Sequence, residues 1–423
     1  MIADSLFTLA LEYKKTKLWK KLWDSELFAV ALADGETGYC CVMGKNGEYN
    51  ALALYVGQEG ANSYWTIRSA QWTQDQAVFQ ESILSQNCIQ CSFGYKEELS
   101  KEELEAARAY GKWNGHTFRG GRAFPQFTRY LPYCYPWPVS EEGDQALLGQ
   151  ALSAALEVSR RVEAEGKTAA GFRPLRDQGS NQVPLLTRKG EGWVWSMTAL
   201  PGPVPMPYPR PVLSDDMLTA RLKKQKKKGE LQCEVFCLPE PVIDVEGEAP
   251  RFPVLLFTLN PETGYLFPCV PITRYRENPQ PLLNTFCQEL ARQKTLPQTI
   301  FARDERTEAL LRDLCSKMNI QLVRQRLLPD LDEVKDQFFN HLDETEEEIP
   351  QEMIEDMLSM MTELDEDTLA TMPPPLMEVL AQMLEDGMLP SPLAEKISRV
   401  LGVSEAPPKD SGVILFPGWK GGS

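Results

Sequence analysis

Between residues 27 and 57 three apolar runs, LFAVALAD, GYCCVMG and YNALALYVG, follow one another across two short breaks, GETG and GKNGE. Glycine and asparagine in the breaks supply the positive φ that tight turns require. Such closely spaced runs predict an antiparallel meander, which has to bury at least one face, usually under helices. A first cover is predicted over residues 4–23. Leu11, Leu18 and Leu22, with Trp19 and Trp23, recur there at helical spacing among Lys14, Lys15, Lys17, Lys20 and Lys21. A basic amphipathic helix can lie on a membrane, but the strands need a lid, so its tryptophans are expected against its own domain. Further helices are predicted near 69–84 and 100–112, the second opening with the Ser100–Glu103 capping-box pattern. A strand, CIQCSFGY, lies between them. Residues 1–200 therefore read as an α+β domain with an antiparallel sheet.

Cys88 and Cys91 in that strand are the sharpest chemical signal in the chain, since two cysteines two residues apart can be half a zinc site or a redox pair. A structural zinc site needs four ligands, usually as two close pairs. Cys233 and Cys237 are spaced by three and lie in another strand-like segment, and the two histidines, His116 and His341, are far apart. In an extended strand residues three apart point to opposite faces, so the pair is expected to pack separately and to bind no metal. Most of the ten cysteines sit in apolar surroundings and read as small core residues of a reducing compartment. No cofactor site is expected: phosphate-loop, dinucleotide-loop and nucleophile-elbow patterns are absent.

Downstream, FRGGRAFPQFTRYLPYCYPWPVSEE is rich in aromatics, prolines and arginines. It reads as an irregular segment packed on the core rather than a base-stacking surface. It leads into a helix opened by Ser140, Glu141 and Glu142, with Leu147, Leu148, Leu152, Ala155 and Leu156 at helical spacing. These stretches, with GYCCVMGKNGEYNALALYVGQEG and SFGYKEELS, resemble the N-terminal domain of a widespread group of bacterial proteins of unknown function. RFPVLLFTLNPETGYLF resembles the start of the second uncharacterised domain that often accompanies it. The resemblance covers about residues 1–340 and implies no activity and no catalytic residues.

Six prolines within 201–211 and the basic run Arg221–Lys228 predict a connector over 201–229. A second domain is predicted over 230–342. FPVLLFTL and YLFPCVPIT flank the turn NPETG, and helices and short apolar strands then alternate. This β-β-α-β-α-β-α order predicts a mixed α/β fold and resembles a shortened ribonuclease-H-like fold. Enzymes of that type gather carboxylates at strand ends around metal ions. The matching positions here are Asn260 with Glu262, then Asp304, then Glu333 and Asp336. An asparagine in the first position removes a charge that Mg²⁺ needs, and acids at such places are also ordinary caps and turn formers.

Residues 330–372 hold 16 Asp and Glu against one Lys, which is −15 of the net charge of −16. The body is thus near neutral, so nucleic acid is not expected as a partner. Eight of fourteen methionines fall between Met353 and Met388, and residues 343–404 read as an acidic helical tail with a methionine-rich face suited to protein partners. Residues 405–423 read as a C-terminal extension. Contact between the tail and the basic 221–228 run is a further expectation. No apolar run approaches the roughly 20 residues that span a bilayer and no secretory signal opens the chain, so a cytoplasmic location is expected. The leading expectation is a non-enzymatic interaction or scaffold protein; the alternative is a degenerate or active metal-dependent nuclease.

Overall fold

The structure, a computed structural model, describes residues 2–47, 49–71, 73, 76–176, 181–204, 207–245 and 247–345, with 362, 380–381, 384, 389 and 391–401. It divides into two units, Met1–Leu331 and Asp332–Ser423. Ten helices are described, and the architecture is α+β with two principal sheets.

The first half of the larger unit runs α1 (Asp4–Thr16), β1 (Phe28–Ala31), β2 (Thr37–Met43), β3 (Ala51–Val56), α2 (Gly57–Ala70), α3 (Gln76–Leu84), β4 (Cys88–Gly94), α4 (Lys101–Asn114), β5 (Phe124–Tyr130), β6 (Trp137–Pro138), α5 (Glu142–Glu165), β7 (Asn181–Lys189) and β8 (Gly192–Leu200). The eight strands form one sheet in the order β6-β5-β4-β3-β2-β1-β7-β8. The expected meander is its centre. Every pairing is antiparallel except β1 with β7.

Both faces of this sheet are buried. Leu52, Leu54, Ile89, Cys91 and Phe93 point into a core built with α1 and α5, where Leu148 and Leu152 are fully buried. Ala53, Tyr55, Cys41 and Cys88 point the other way, into a smaller core with Tyr64 and Trp65 of α2. Two-sided burial explains why β2–β4 read as continuous apolar runs rather than alternating ones.

Helix α1 stops at Thr16 instead of running to residue 23. Lys17 takes a left-handed conformation at φ 49°, and a 3-10 turn follows over Leu18–Lys20. The Thr16 hydroxyl donates to the Tyr13 carbonyl and accepts from Leu18 N, local bonds that compete with the helix. The break turns Leu18, Trp19 and Leu22 into the core, while Trp23 stays exposed beneath Lys45. The aromatic segment differs too. It forms the regular strand β5, whose Arg129 bonds Asn87, the Cys88 carbonyl and Asp144.

The second half runs α6 (Asp216–Lys223), β9 (Lys226–Lys227), β10 (Glu230–Cys237), β11 (Val254–Asn260), β12 (Tyr265–Leu266), α7 (Gln280–Arg292), β13 (Thr295–Leu296), β14 (Thr299–Ala302), α8 (Glu305–Met318), β15 (Gln321–Arg324) and α9 (Pro329–Thr345). Five strands form the sheet β12-β11-β10-β14-β15, with β10 antiparallel to β11 and parallel to β14. Leu231, Cys233, Val235 and Cys237 of β10 face α7 and α8 in a third core. That core also takes Leu213 and Leu222 from the segment expected as a connector, and Leu84 and Tyr133 from the first half. Backbone bonds from Phe252 N to Tyr133 O and from Tyr135 N to Pro250 O join the two halves. The basic run forms the last turn of α6 and β9, where Lys227 donates to the Asn319 carbonyl.

In the smaller unit, α10 (Ser391–Leu401) buries Leu393 and Ile397, and Lys396 donates to the Thr362 carbonyl. The eight methionines between Met353 and Met388, the side chain of His341 and residues 402–423 lie outside the described residues. No described helix is long and apolar enough to cross a membrane.

Candidate functional site

Cys88 and Cys91 are divided between two cores. Cys91 lies beneath α1 and α5, and Cys88 faces the α2 side with Tyr55. Burial pushes the Cys88 thiol up to about 12 and holds Cys91 well above the ordinary range. Cys40 and Cys41 split in the same way. All ten cysteines are free, and eight are buried; Cys134 and Cys269 are half-buried. Thiolate is the reactive form, so titration of the native protein with a thiol reagent at pH 8 is expected to modify no more than Cys134 and Cys269. All ten should react in denaturant. Rapid modification of Cys88 or Cys91 in the native protein would contradict these positions.

Each carboxylate position singled out in the sequence has a local structural task or an exposed place. Asn260 Oδ1 accepts from Glu262 N at 3.0 Å and from Thr263 N at 3.2 Å, shaping the turn after β11, and Glu262 is exposed beside Gly229. Asp304 caps α8, accepting from Thr307 N at 2.8 Å and Thr307 Oγ1 at 2.7 Å. Glu333 and Asp336 are exposed on α9. His116 meets Phe118 edge-on and the Tyr110 ring at a tilt. Among the described residues no group of three or more His, Cys, Asp or Glu side chains is placed to hold a metal ion.

The expected assignment of the first strand needs correction. The hub of the second sheet is β10, one strand earlier than the one ending at Asn260. Its second face carries Gln232 and Glu234, opposite the core-facing Leu231, Cys233 and Val235. Gln232 Nε2 donates to Asp330 Oδ2 at 2.7 Å, and its Oε1 accepts from Leu331 N at 3.0 Å, fixing the start of α9 to the strand. Glu234 Oε2 accepts from Arg303 Nε at 2.7 Å. Arg303 follows β14 directly, and its Nη1 also donates to the Arg326 carbonyl at 2.9 Å. The polar end of the sheet is thus Gln232, Glu234, Arg303, Asp304 and Asp330, with the Arg303 guanidinium paired to Glu234. The legible signal was the period-2 polarity of ELQCEVFC, apolar on one face and Gln/Glu on the other.

A second polar cluster joins the two halves. Arg306 of α8 pairs with Glu81 of α3 at 2.9 Å and faces Asp304 at 3.7 Å. The Tyr133 hydroxyl donates to the other Glu81 oxygen at 2.7 Å. Burial works to lower the Arg306 pKa, but Glu81, Tyr133 and Asp304 outweigh it and keep the guanidinium charged.

Residues 4–174 match a domain of unknown function (DUF7309), and residues 218–339 match a second domain of unknown function (DUF6930). The two stand N-terminal and C-terminal in the chain, as the sequence resemblance implied. No curated protein matches it.

Proposed function

We propose that this chain, with two domains of unknown function in tandem, is a non-enzymatic interaction protein. The observation that carries this is the Arg303–Glu234 pair at 2.7 Å. It occupies the end of the central strands, where a ribonuclease-H-like nuclease would gather carboxylates around metal ions. A fixed guanidinium there repels a divalent cation and already neutralises the acid such a cation would need. The two cysteines and the cap Asp304 are likewise engaged in packing and turn formation.

The partner is a protein. The stretch 330–372, with sixteen acids against one lysine, repels nucleic acid and attracts basic protein surfaces. The basic 221–228 run of the same chain is one such surface, and a basic partner protein is another. A cytoplasmic site of action fits the free, buried thiols.

The test against the nuclease alternative is incubation with Mg²⁺ or Mn²⁺ and single-stranded, double-stranded and RNA–DNA hybrid substrates. No cleavage is expected, and no stoichiometric Mn²⁺ binding by calorimetry. Cleavage by the wild-type chain that disappears in Glu234→Gln or Asp304→Asn overturns the proposal.

A further inference from the structure

A pocket of about 450 Å³ opens at the seam between the two halves of the larger unit, within the volume range of small-molecule sites. One wall is α2, which contributes Glu59, exposed in its first turn, and the polar stripe Asn62, Ser63 and Thr66. Glu81 comes from α3, Tyr208 from the proline-rich segment, and Arg276 from the second half. The pocket therefore exists only where both halves meet.

Its charges are unequally matched. Both Glu81 oxygens are taken, one by the Tyr133 hydroxyl and one by Arg306, and Arg306 also faces Asp304. Those groups close on one another. Arg276 is different. Among the described residues it has no acid or hydrogen-bond partner, its Nε is buried without an acceptor, and its guanidinium lies 5.4 Å over the Tyr133 ring. Resting a guanidinium on an aromatic face leaves its in-plane donors directed sideways, the geometry that receives two oxygens of one anion. Tyr208 stands near it; burial pushes its hydroxyl up to about 12, so it stays protonated and able to donate. Ser63 Oγ accepts from Asn87 N at 2.8 Å, which leaves its own hydrogen available. The pocket thus sets donors around one cation that has no acid partner among the described residues, while its second acid, Glu59, is exposed to solvent.

We propose that this seam pocket binds a small organic oxyanion, a carboxylate or a phosphate ester, with Arg276 as its anchor and Tyr208 and Ser63 as further donors. The site goes beyond the protein-binding role and does not depend on it. The test is isothermal titration calorimetry on the full chain with citrate, glycerol 3-phosphate and glycerol. Citrate reads the carboxylate arm, glycerol 3-phosphate the phosphate arm, and glycerol is the neutral control matched to the latter. At least one anion is expected to bind while glycerol does not. Arg276→Gln should weaken that binding at least about tenfold, with Arg276→Lys between the two. The thermal midpoint of the unliganded Arg276→Gln variant should stay within a few degrees of wild type, because Arg276 has no acid or hydrogen-bond partner among the described residues and loses only its contact with the Tyr133 ring. Failure of both anions to bind, binding of glycerol alone, or binding unchanged in Arg276→Gln overturns the proposal.

Discussion

Replacing Arg303 with methionine is expected to lower the unfolding free energy by about 3–5 kcal/mol, the usual cost of removing one member of a buried ion pair. Methionine keeps much of the aliphatic stem, so the loss is electrostatic more than volumetric. The Glu234 side chain is only 7% exposed, against 15% for Arg303, and solvent cannot replace the guanidinium. The double variant Arg303→Met with Glu234→Leu should recover most of the loss, since exchanging both members of a buried pair for apolar groups is often neutral or stabilising. Glu234→Leu alone should fall between, because Arg303 retains the Arg326 carbonyl. Urea denaturation followed by circular dichroism measures all three. An Arg303→Met variant within about 1 kcal/mol of wild type would show that Glu234 is solvated or otherwise held.

The parts of this fold that were legible in the sequence are those governed by local periodicity. The runs at 27–57 became β1–β3 because their apolar residues fill both faces of one sheet. Ser100 and Glu103 form the expected reciprocal cap of α4, with Ser100 N donating to Glu103 and Glu103 N donating to Ser100. The turn after β11 is held by Asn260 as its type predicts.

Helix α2 was not legible, and the reason is tertiary. Gly57, Gly60, Asn62 and Ser63 are poor helix formers, yet the segment is helical because Tyr64 and Trp65 bury against β2 and β3. Gly60 permits the close approach: a Cβ there would lie 2.5 Å from the Tyr55 carbonyl carbon. Strand β7 was masked by Pro184, which breaks a strand pattern. Pro184 sits just outside the Leu185–Thr187 stretch that pairs with β1, so its missing N–H is not demanded there. The polar clusters were hidden for a different reason. Glu81 and Arg306 are 225 residues apart, and Glu234 and Arg303 meet only because β10 and β14 are neighbours in parallel. Spacing along the chain carries no trace of either pair. Local pattern also favours the run ending at Asn260 as the first strand of the second sheet, whereas the central strand is β10, which carries Gln232 and Glu234.

Phe93 gives the second large effect, and it bears on why SFGY stands in the N-terminal domain. Phe93→Ala is expected to cost about 3–5 kcal/mol, the transfer term for a buried ring plus the cavity it leaves. The side chain is 1% exposed. It stacks with Tyr13 at 6.4 Å, meets Trp19 at 5.9 Å, and carries the Lys14 ammonium 5.1 Å above its ring. The void would therefore open beneath α1 and the 3-10 turn, which hold the sheet's larger core closed. Phe93→Leu should lose much less, because it keeps most of the apolar volume. Phe79→Ala on α3 serves as the control: that ring is 50% exposed, and its removal should stay within about 0.5 kcal/mol of wild type. Chemical denaturation of the three variants separates packing from chemistry. A Phe93→Ala protein as stable as Phe79→Ala would mean that the α1 lid does not rest on this strand, and the two-sided burial of the sheet would have to be abandoned.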